Sequence, residues 1–204
     1  GKDIIDKALK SLSPGELLHE FRSLRDIPGT DGILDDAIRN ASPEDLFNNA
    51  EALVGRPDAR ELLMKAAEDA PKAAIFACEN RLLFGNPFKN EICDTASIVI
   101  EYSDYRISLG DMLFKGDYDT VDVVIRYYAE EEGIKDPSPS DKLRYAKKFY
   151  SMIDDLAKLS DKERNACLAS AAEEILKEDN SGIPESVVKI KWFERALKHC
   201  KGKH

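Results

Sequence analysis

Histidine is scarce in this sequence, which has three histidines among 204 residues, one of them the last residue. A nucleophilic triad that depends on histidine, or a metal site built from several histidines, is therefore nearly excluded. Four motifs that would signal phosphate, dinucleotide, zinc or nucleophile chemistry (GxxxxGK[ST], GxGxxG, HExxH and GxSxG) are also absent. No complete catalytic set is visible, and we expect neither a cofactor nor a metal.

Long hydrophobic runs are lacking as well. No segment approaches the roughly 18–20 apolar residues that a membrane-spanning helix needs, and the N-terminus shows no basic segment followed by an apolar one, as a secretory signal would. We therefore expect no transmembrane segment, and a cytoplasmic protein is favoured. The chain begins with Gly1 rather than Met, which leaves a secreted or periplasmic protein with a missing upstream segment as the alternative.

The four cysteines, Cys78, Cys93, Cys167 and Cys200, lie far apart and form no CxxC pair. This spacing argues against a zinc site. Two of them, Cys78 and Cys167, lie in alanine-rich helical stretches, where a free cysteine behaves as a small core residue. The favoured interpretation is four reduced, structural thiols, with disulfides as the alternative.

Charge is abundant but unevenly distributed. Charged residues make up 34% of the chain and hydrophobic residues 43%, which is typical of an ordinary soluble protein, and the formal net charge is −9. The chain is strongly acidic up to Ser140, whereas the part from Asp141 onward carries a small excess of Lys and Arg. An acidic body argues against nucleic acid as the main partner, because phosphate binding depends on clustered Lys and Arg.

Helix-start signals recur along the chain. Ser13 and Ser42 each precede a proline and have an acidic residue at the third position after them, which predicts an N-cap followed by Pro in the first turn. Thr30 and Ser160 are predicted to cap further helices. Residues 71–84 are predicted to form a helix whose Ala73–Cys78 part has no polar side and therefore needs neighbours on several sides.

Two later segments are more ambiguous. Residues 95–102 are rich in β-branched side chains, so that a strand is an alternative there, although the 3.6-residue spacing favours a helix. Residues 103–116 are predicted to form a loop that holds one or two helical turns.

The overall pattern predicts an all-α protein of nine or ten helices. The interval from Ser13 to Ser42 and the interval from Pro43 to Pro71 are equal to within one position. Such a regular spacing is typical of antiparallel helical hairpins stacked as a short solenoid of the HEAT or tetratricopeptide type. An irregular multi-helix bundle gives much the same pattern. The Gly133–Ser140 breaker cluster predicts a boundary between an acidic hairpin array (1–136) and a C-terminal three-helix lobe (137–204) packed on it, unless the two form one continuous domain.

Three residues are weak catalytic candidates. Glu16 and His19 lie three apart on one helix, which is half of a carboxylate-bridged di-iron motif, but the second half is missing. Glu79 follows the apolar Ala73–Cys78 run, and a buried carboxylic acid is what a general acid requires. A surface pair for Glu16 and His19, and a salt bridge at a helix end for Glu79, are the alternative interpretations.

The final helix, from about residue 184, is the main binding candidate because it is basic and amphipathic. The residues predicted to contact a protein or peptide partner are Trp192, Lys191, Arg195 and Lys198 of this helix, together with Tyr127 from an earlier segment. The alternative is that this helix packs on the acidic part of the same chain, with its lysine stems covering apolar surface.

The sequence therefore favours a non-enzymatic helical scaffold or protein- and peptide-binding module. The alternative is a hydrolase-type enzyme that uses carboxylates in a cleft between helices.

Overall fold

The computed structural model describes residues 2–202, and within this range the chain is about 75% helical with no β-strand. The all-α prediction is confirmed. In chain order the helices are α1 (Lys2–Lys10), α2 (Pro14–His19), α3 (Phe21–Leu24), α4 (Asp31–Asn40), α5 (Pro43–Asn48), a 3-10 helix (Ala50–Leu53), α6 (Ala59–Asp69), α7 (Pro71–Glu79), α8 (Lys89–Leu113), α9 (Tyr118–Glu131), α10 (Pro139–Ala157), α11 (Asp161–Lys177) and α12 (Glu185–Lys201).

The described residues divide into two compact units, one extending to Ile100 and the other beginning at Glu101. The division falls within α8, which is a continuous helix. The boundary predicted after residue 136 lies in the turn between α9 and α10, inside the second unit.

The predicted helix starts at Ser13 and Ser42 are confirmed. Each serine hydroxyl accepts a hydrogen bond from the backbone N–H three positions on, at 3.2 Å from Glu16 and 3.1 Å from Asp45. The predicted number of helices is too low, because the segments after these caps each divide into two: α2 with α3, and α5 with the 3-10 helix. The breaks fall at Glu20 and Asn49, where the backbone leaves the helical region.

In the first unit, α2, α5 and α7 are neighbours. Helix α2 packs on α4 and α5, and α5 packs on α6 and α7. Many of the contacts are made by alanines that are 0–3% exposed, and such small side chains let helix backbones approach closely. The fully buried residues of this core are Leu63, Ala67, Ala74, Ala77, Leu83, Ile92 and Ala96.

Helix α7 ends earlier than predicted, at Glu79 rather than Phe84. Arg81 adopts a left-handed conformation (φ 61°), and the Leu82 N–H donates back to the Ala77 carbonyl at 3.2 Å, as in a Schellman C-cap. This reversal places Leu83 fully in the core. The predicted neighbours on several sides are present: α7 packs on α5 and α6 and is bonded to α8 through Cys78. One side stays open, because Phe76 is 58% exposed.

Helix α8 continues to Leu113, so the loop predicted for residues 103–116 is wrong. The helix persists because Leu109 and Leu113 are buried in the second unit. Gly110 is a contact residue and does not break the helix: a Cβ there would lie 2.4 Å from Cδ1 of Tyr118. Residues 95–102 are helical, as the favoured interpretation predicted.

The interpretation of the cysteines as reduced thiols is wrong. Cys78 in α7 is bonded to Cys93 in α8, and Cys167 in α11 is bonded to Cys200 in α12. The Cα atoms lie 6.2 Å and 5.7 Å apart, within the range a disulfide spans. Each bond joins two helices that are consecutive in the chain.

The second unit is built around α9, α10 and α12, with α11 packed along α12. Its fully buried aromatic residues, Tyr145 and Phe149, share one core cluster with Ile125 and Ile190. A smaller cluster around Ala171 and the second disulfide joins α11 to α12.

Thr30 gives a testable prediction about stability. Its side chain does not cap α4; the buried hydroxyl instead lies 2.7 Å from the Leu24 carbonyl and 2.8 Å from that of Ile27. We expect Thr30→Val to lower the free energy of unfolding by about 1–2 kcal/mol, because the one hydroxyl hydrogen that the two carbonyls share is lost as a buried donor. Thr30→Ser keeps the hydroxyl and should lose less. Urea unfolding of the three proteins measures this, and a valine variant as stable as the wild type would contradict it.

The disulfides give a second prediction. Replacing Cys78 and Cys93 together by alanine should cost about 3 kcal/mol, and replacing Cys167 and Cys200 somewhat more, because the second bond closes a loop of 33 residues against 15. Chemical unfolding of both double variants without reductant measures the losses. Thiol titration of the air-oxidised wild type, after unfolding without reductant, should find no free thiol; four free thiols would disprove the pairing.

Candidate binding grooves

A polar groove crosses the first unit, and we call it the N-terminal groove. It has a volume of about 400 Å³. Its lining residues come from three successive parts of the chain and are Leu18, His19, Phe21, Arg22, Asn48, Asn49, Ala50, Glu51, Ala52, Arg81 and Leu82.

The N-terminal groove lies at the C-terminal ends of three helices. His19 is the last residue of α2, Asn48 is the last residue of α5, and Arg81 follows α7. Arg22 and Glu51 are separated by the same interval as the capping serines, and the interval from Glu51 to Arg81 is one position longer. The groove is therefore lined by residues that recur at nearly the same interval along the chain.

The charges in this groove are only partly paired. Arg22 forms an ion pair with Glu51 at 2.5 Å, but both side chains are more than three-quarters exposed, so that the pair adds little stability. Among the described residues Arg81 has no carboxylate within ion-pair distance. The backbone of Arg81 is in the left-handed region, and its guanidinium remains available to a ligand.

A second depression of about 470 Å³ adjoins the first and shares His19, Asn48 and Asn49 with it. Glu16 also lines it, so the structure brings the predicted Glu16–His19 pair into this surface. Both side chains are exposed. The carboxylate of Asp45 reaches this depression directly over Gly15, where a Cβ would lie 2.7 Å from it.

Metal chemistry finds no support in this surface. Within residues 2–202 no three His, Cys, Asp or Glu side chains come together as a metal site would require. Glu79 lies outside both depressions and is exposed, so the burial on which its general-acid role depends is not present.

A larger and more apolar groove lies in the second unit, and we call it the C-terminal groove. It has a volume of about 810 Å³. Its lining residues come from the α8–α9 turn and its flanks, α11 and α12 and are Leu113, Phe114, Lys115, Thr120, Ala172, Ile175, Leu176, Glu185, Ser186, Val188, Lys189 and Trp192. Leu176 is 84% exposed, a large apolar area left in contact with water.

Trp192, a predicted binding residue, lines the C-terminal groove and is firmly held. Its indole N–H donates to the Leu168 carbonyl at 2.7 Å, and its ring stacks on Phe193 with centroids 5.3 Å apart. Lys189 also lines this groove. Its ammonium donates to the Leu113 carbonyl at 2.6 Å and lies 5.6 Å from the centre of the Phe114 ring.

Most of the other predicted binding residues contact their own unit. Arg195 forms ion pairs with Glu174 at 3.0 Å and Glu178 at 2.7 Å. Lys191 lies over the ring of Tyr127, 5.2 Å from its centre. These contacts are those expected if the basic face of α12 packs on its own chain. Lys198 is exposed.

Sequence reasoning missed Leu176, Lys115 and Lys189. Leu176 directly follows the buried Ile175, and adjacent helical residues point about 100° apart, so that one of the two is expected on the outside. Nothing in the sequence places Lys115 in the same groove as Lys189, because the two share it only through the packing of the α8–α9 turn on α12.

Arginine and histidine set the electrostatics of the α11–α12 contact. A hydrogen bond from Arg195, together with one from His199 at 2.7 Å, holds the pKa of the Glu174 carboxyl below its usual range. The ionised carboxylate is thus the form that the folded protein favours.

None of the helices in the described part of the chain combines the length and the apolar character needed to cross a bilayer. No protein-family model matches the chain, and searches of curated proteins and of solved structures return no match. Function must therefore be inferred from the geometry and chemistry of the residues themselves.

The lowered pKa of Glu174 predicts a pH-dependent loss of stability. The stabilisation that this carboxylate provides is present in full above its unfolded pKa, near 4.5, and is lost as the pH falls through the lower folded pKa. Glu174→Gln should therefore be less stable than the wild type at pH 7, and the difference should disappear in strong acid. Thermal melting from pH 7 to pH 2.5 measures this.

Glu173→Gln is the matched control, since Glu173 is exposed on the same helix. It should leave the pH dependence of the melting temperature unchanged. Identical pH profiles for Glu174→Gln and the wild type would contradict the role given to this ion pair.

Proposed function

We propose that this chain is a non-enzymatic binding module that holds a peptide segment of another protein in the N-terminal groove. The observation that carries the proposal is that one continuous polar groove is lined by residues at the C-terminal ends of three helices, α2, α5 and α7. Surfaces of this kind, made by stacked helical hairpins, are suited to extended partners.

The proposal includes a repeated structure. Leu34, Leu63 and Ile92 are evenly spaced along the chain and are all buried, and Ile38, Ala67 and Ala96 are buried at the same interval. The serine caps that precede α2 and α5 are separated by this interval too. These positions support three copies of one hairpin, stacked side by side as a short solenoid.

The chemistry of the groove suits a peptide. His19, Asn48 and Arg81 offer polar groups that can bind peptide carbonyls or a carboxylate. Arg81 has no ion-pair partner among the described residues, so a carboxylate of the partner can form a charge-assisted hydrogen bond with it. The depression beside Glu16 and His19 lengthens the surface that an extended peptide can cover.

The predicted residues of α12 take another role in this proposal. Arg195 and Lys191 stabilise the second unit through Glu174, Glu178 and Tyr127. Trp192 belongs to the C-terminal groove, which is a separate site.

A peptide-display selection tests the proposal. The disulfide-bonded protein is used to select from a library of random short peptides, and the enriched peptides are measured by fluorescence anisotropy. We expect enriched peptides to bind Arg81→Glu at least tenfold more weakly than the wild type, because a charge-assisted bond becomes a repulsion.

Lys72→Glu makes the same charge change on an exposed residue of α7 outside the groove, and it should alter the affinity less than twofold. Arginine and glutamate are both unbranched at Cβ, so Arg81→Glu adds no backbone strain at this left-handed position. Thermal melting should therefore show both variants folded. Failure to enrich any peptide, or equal binding to Arg81→Glu, would overturn the proposal.

A further inference from the structure

The C-terminal groove combines apolar walls with two lysines. The part of its lining that comes from α11 is apolar and consists of Ala172, Ile175 and Leu176. Both lysines lie toward the α8–α9 turn, among its apolar side chains: Lys115 is part of that turn, and the Lys189 ammonium is bonded to the Leu113 carbonyl and lies close to the Phe114 ring. A ligand that lies along the groove therefore meets apolar surface along α11 and positive charge near the turn.

The two lysines have no carboxylate partner. Within residues 2–202, neither Lys115 nor Lys189 has an acidic group within ion-pair distance, although the protein as a whole is acidic. Glu185 also lines the groove, but it lies in the first turn of α12, where the helix dipole offsets a negative charge. The hydroxyls of Thr120 and Ser186 add two neutral polar groups.

We propose that the C-terminal groove binds a free single-chain amphiphile with an anionic headgroup, of the class of long-chain carboxylates. The tail lies against Leu176 and Trp192 and removes the exposed leucine from water. The headgroup lies beside Lys115 and Lys189, whose charges it neutralises. This site goes beyond the proposed peptide-binding function and is independent of it.

The size of the groove supports a small ligand. Its volume of about 810 Å³ lies within the range of sites that bind small molecules, about 300–1,000 Å³, with mostly apolar walls and a few polar groups that fix orientation. The two lysines determine that the headgroup is anionic, because a neutral amphiphile would leave both ammonium groups without a counter-ion. A peptide and a membrane surface are the competing occupants, and the experiment separates them from the amphiphile.

The chain supplies its own probe, because Trp192 is the one tryptophan in the sequence and it lines the groove. Octanoate, decanoate and dodecanoate are titrated below their micellar concentrations, and Trp192 fluorescence and calorimetry are recorded. We expect saturable one-to-one binding that strengthens about threefold to fourfold per added methylene, because each methylene is transferred from water to the groove. Acetate should not bind, and dodecanol should bind at least tenfold more weakly than dodecanoate.

Three variants and one control locate the site. Lys115→Met and Lys189→Met should each weaken dodecanoate binding at least about fivefold without affecting dodecanol binding. The control, Lys135→Met, at an exposed lysine between α9 and α10 outside the groove, should change neither. Ala172→Phe, which fills the groove, should abolish binding of both ligands by calorimetry. Lys115 is exposed, so its variant stays informative even if Lys189→Met, which loses the bond to Leu113, melts at a lower temperature.

The outcomes are distinct. Affinity that does not depend on chain length, or that is equal for dodecanol and dodecanoate, would overturn the proposal. So would dodecanoate binding that persists in Ala172→Phe. Binding to vesicles that contain phosphatidylglycerol, without binding of monomeric dodecanoate, would assign the groove to a membrane surface; a selected peptide that competes at Trp192 while dodecanoate does not bind would assign it to a protein partner.

Discussion

The close approach of helices at alanine contacts is the constraint on which the first unit depends. Ala67, Ala74, Ala77 and Ala96 are fully buried, and a longer side chain at any of them would separate the backbones that meet there. These alanines lie in α6, α7 and α8, and the close packing of α6 and α7 on each other and on α5 brings the end of α7 to the groove. This part of the groove is thus a consequence of small side chains in the core.

The packing of the second unit depends on larger side chains and on ion pairs. Aromatic rings fill its main core, where Tyr128 lies edge-on to Phe149 with centroids 5.0 Å apart. Arg195 and His199 hold α12 against α11 through Glu174. Because α11 and the α8–α9 turn both pack on α12, a space open to solvent is left among them, and Trp192 and Lys189 reach it from the same helix. An uneven packing of three elements thereby produces the apolar groove.

Local chemistry made part of this fold predictable. The caps at Ser13 and Ser42 depend on residues within three positions of each other, and both are present. The left-handed backbone at Arg81 was not predicted, because an arginine does not signal this conformation as a glycine does. The helical Gly110 and the paired cysteines were not predicted because they depend on packing contacts, of Gly110 with Tyr118 and of each cysteine with its partner. The candidate site divides in the same way. Trp192, which was predicted to contact a partner because it is a large aromatic residue on an amphipathic helix, lines the C-terminal groove, and its binding role stays a prediction. Arg195 instead forms an ion pair with Glu174 on another helix, which the sequence did not indicate.

The order of the cysteines along the chain bears on how the protein matures. Four cysteines can pair in three ways, and the observed pairing joins the two that are synthesised first and then the two that are synthesised last. It is also the arrangement with the shortest enclosed segments, so chain-closure entropy favours it over both alternatives. As the polypeptide leaves the ribosome, Cys78 can meet Cys93 before either competitor exists. Vectorial synthesis and polymer statistics therefore select the same connectivity, and the correct bonds can form without an isomerase to rearrange them.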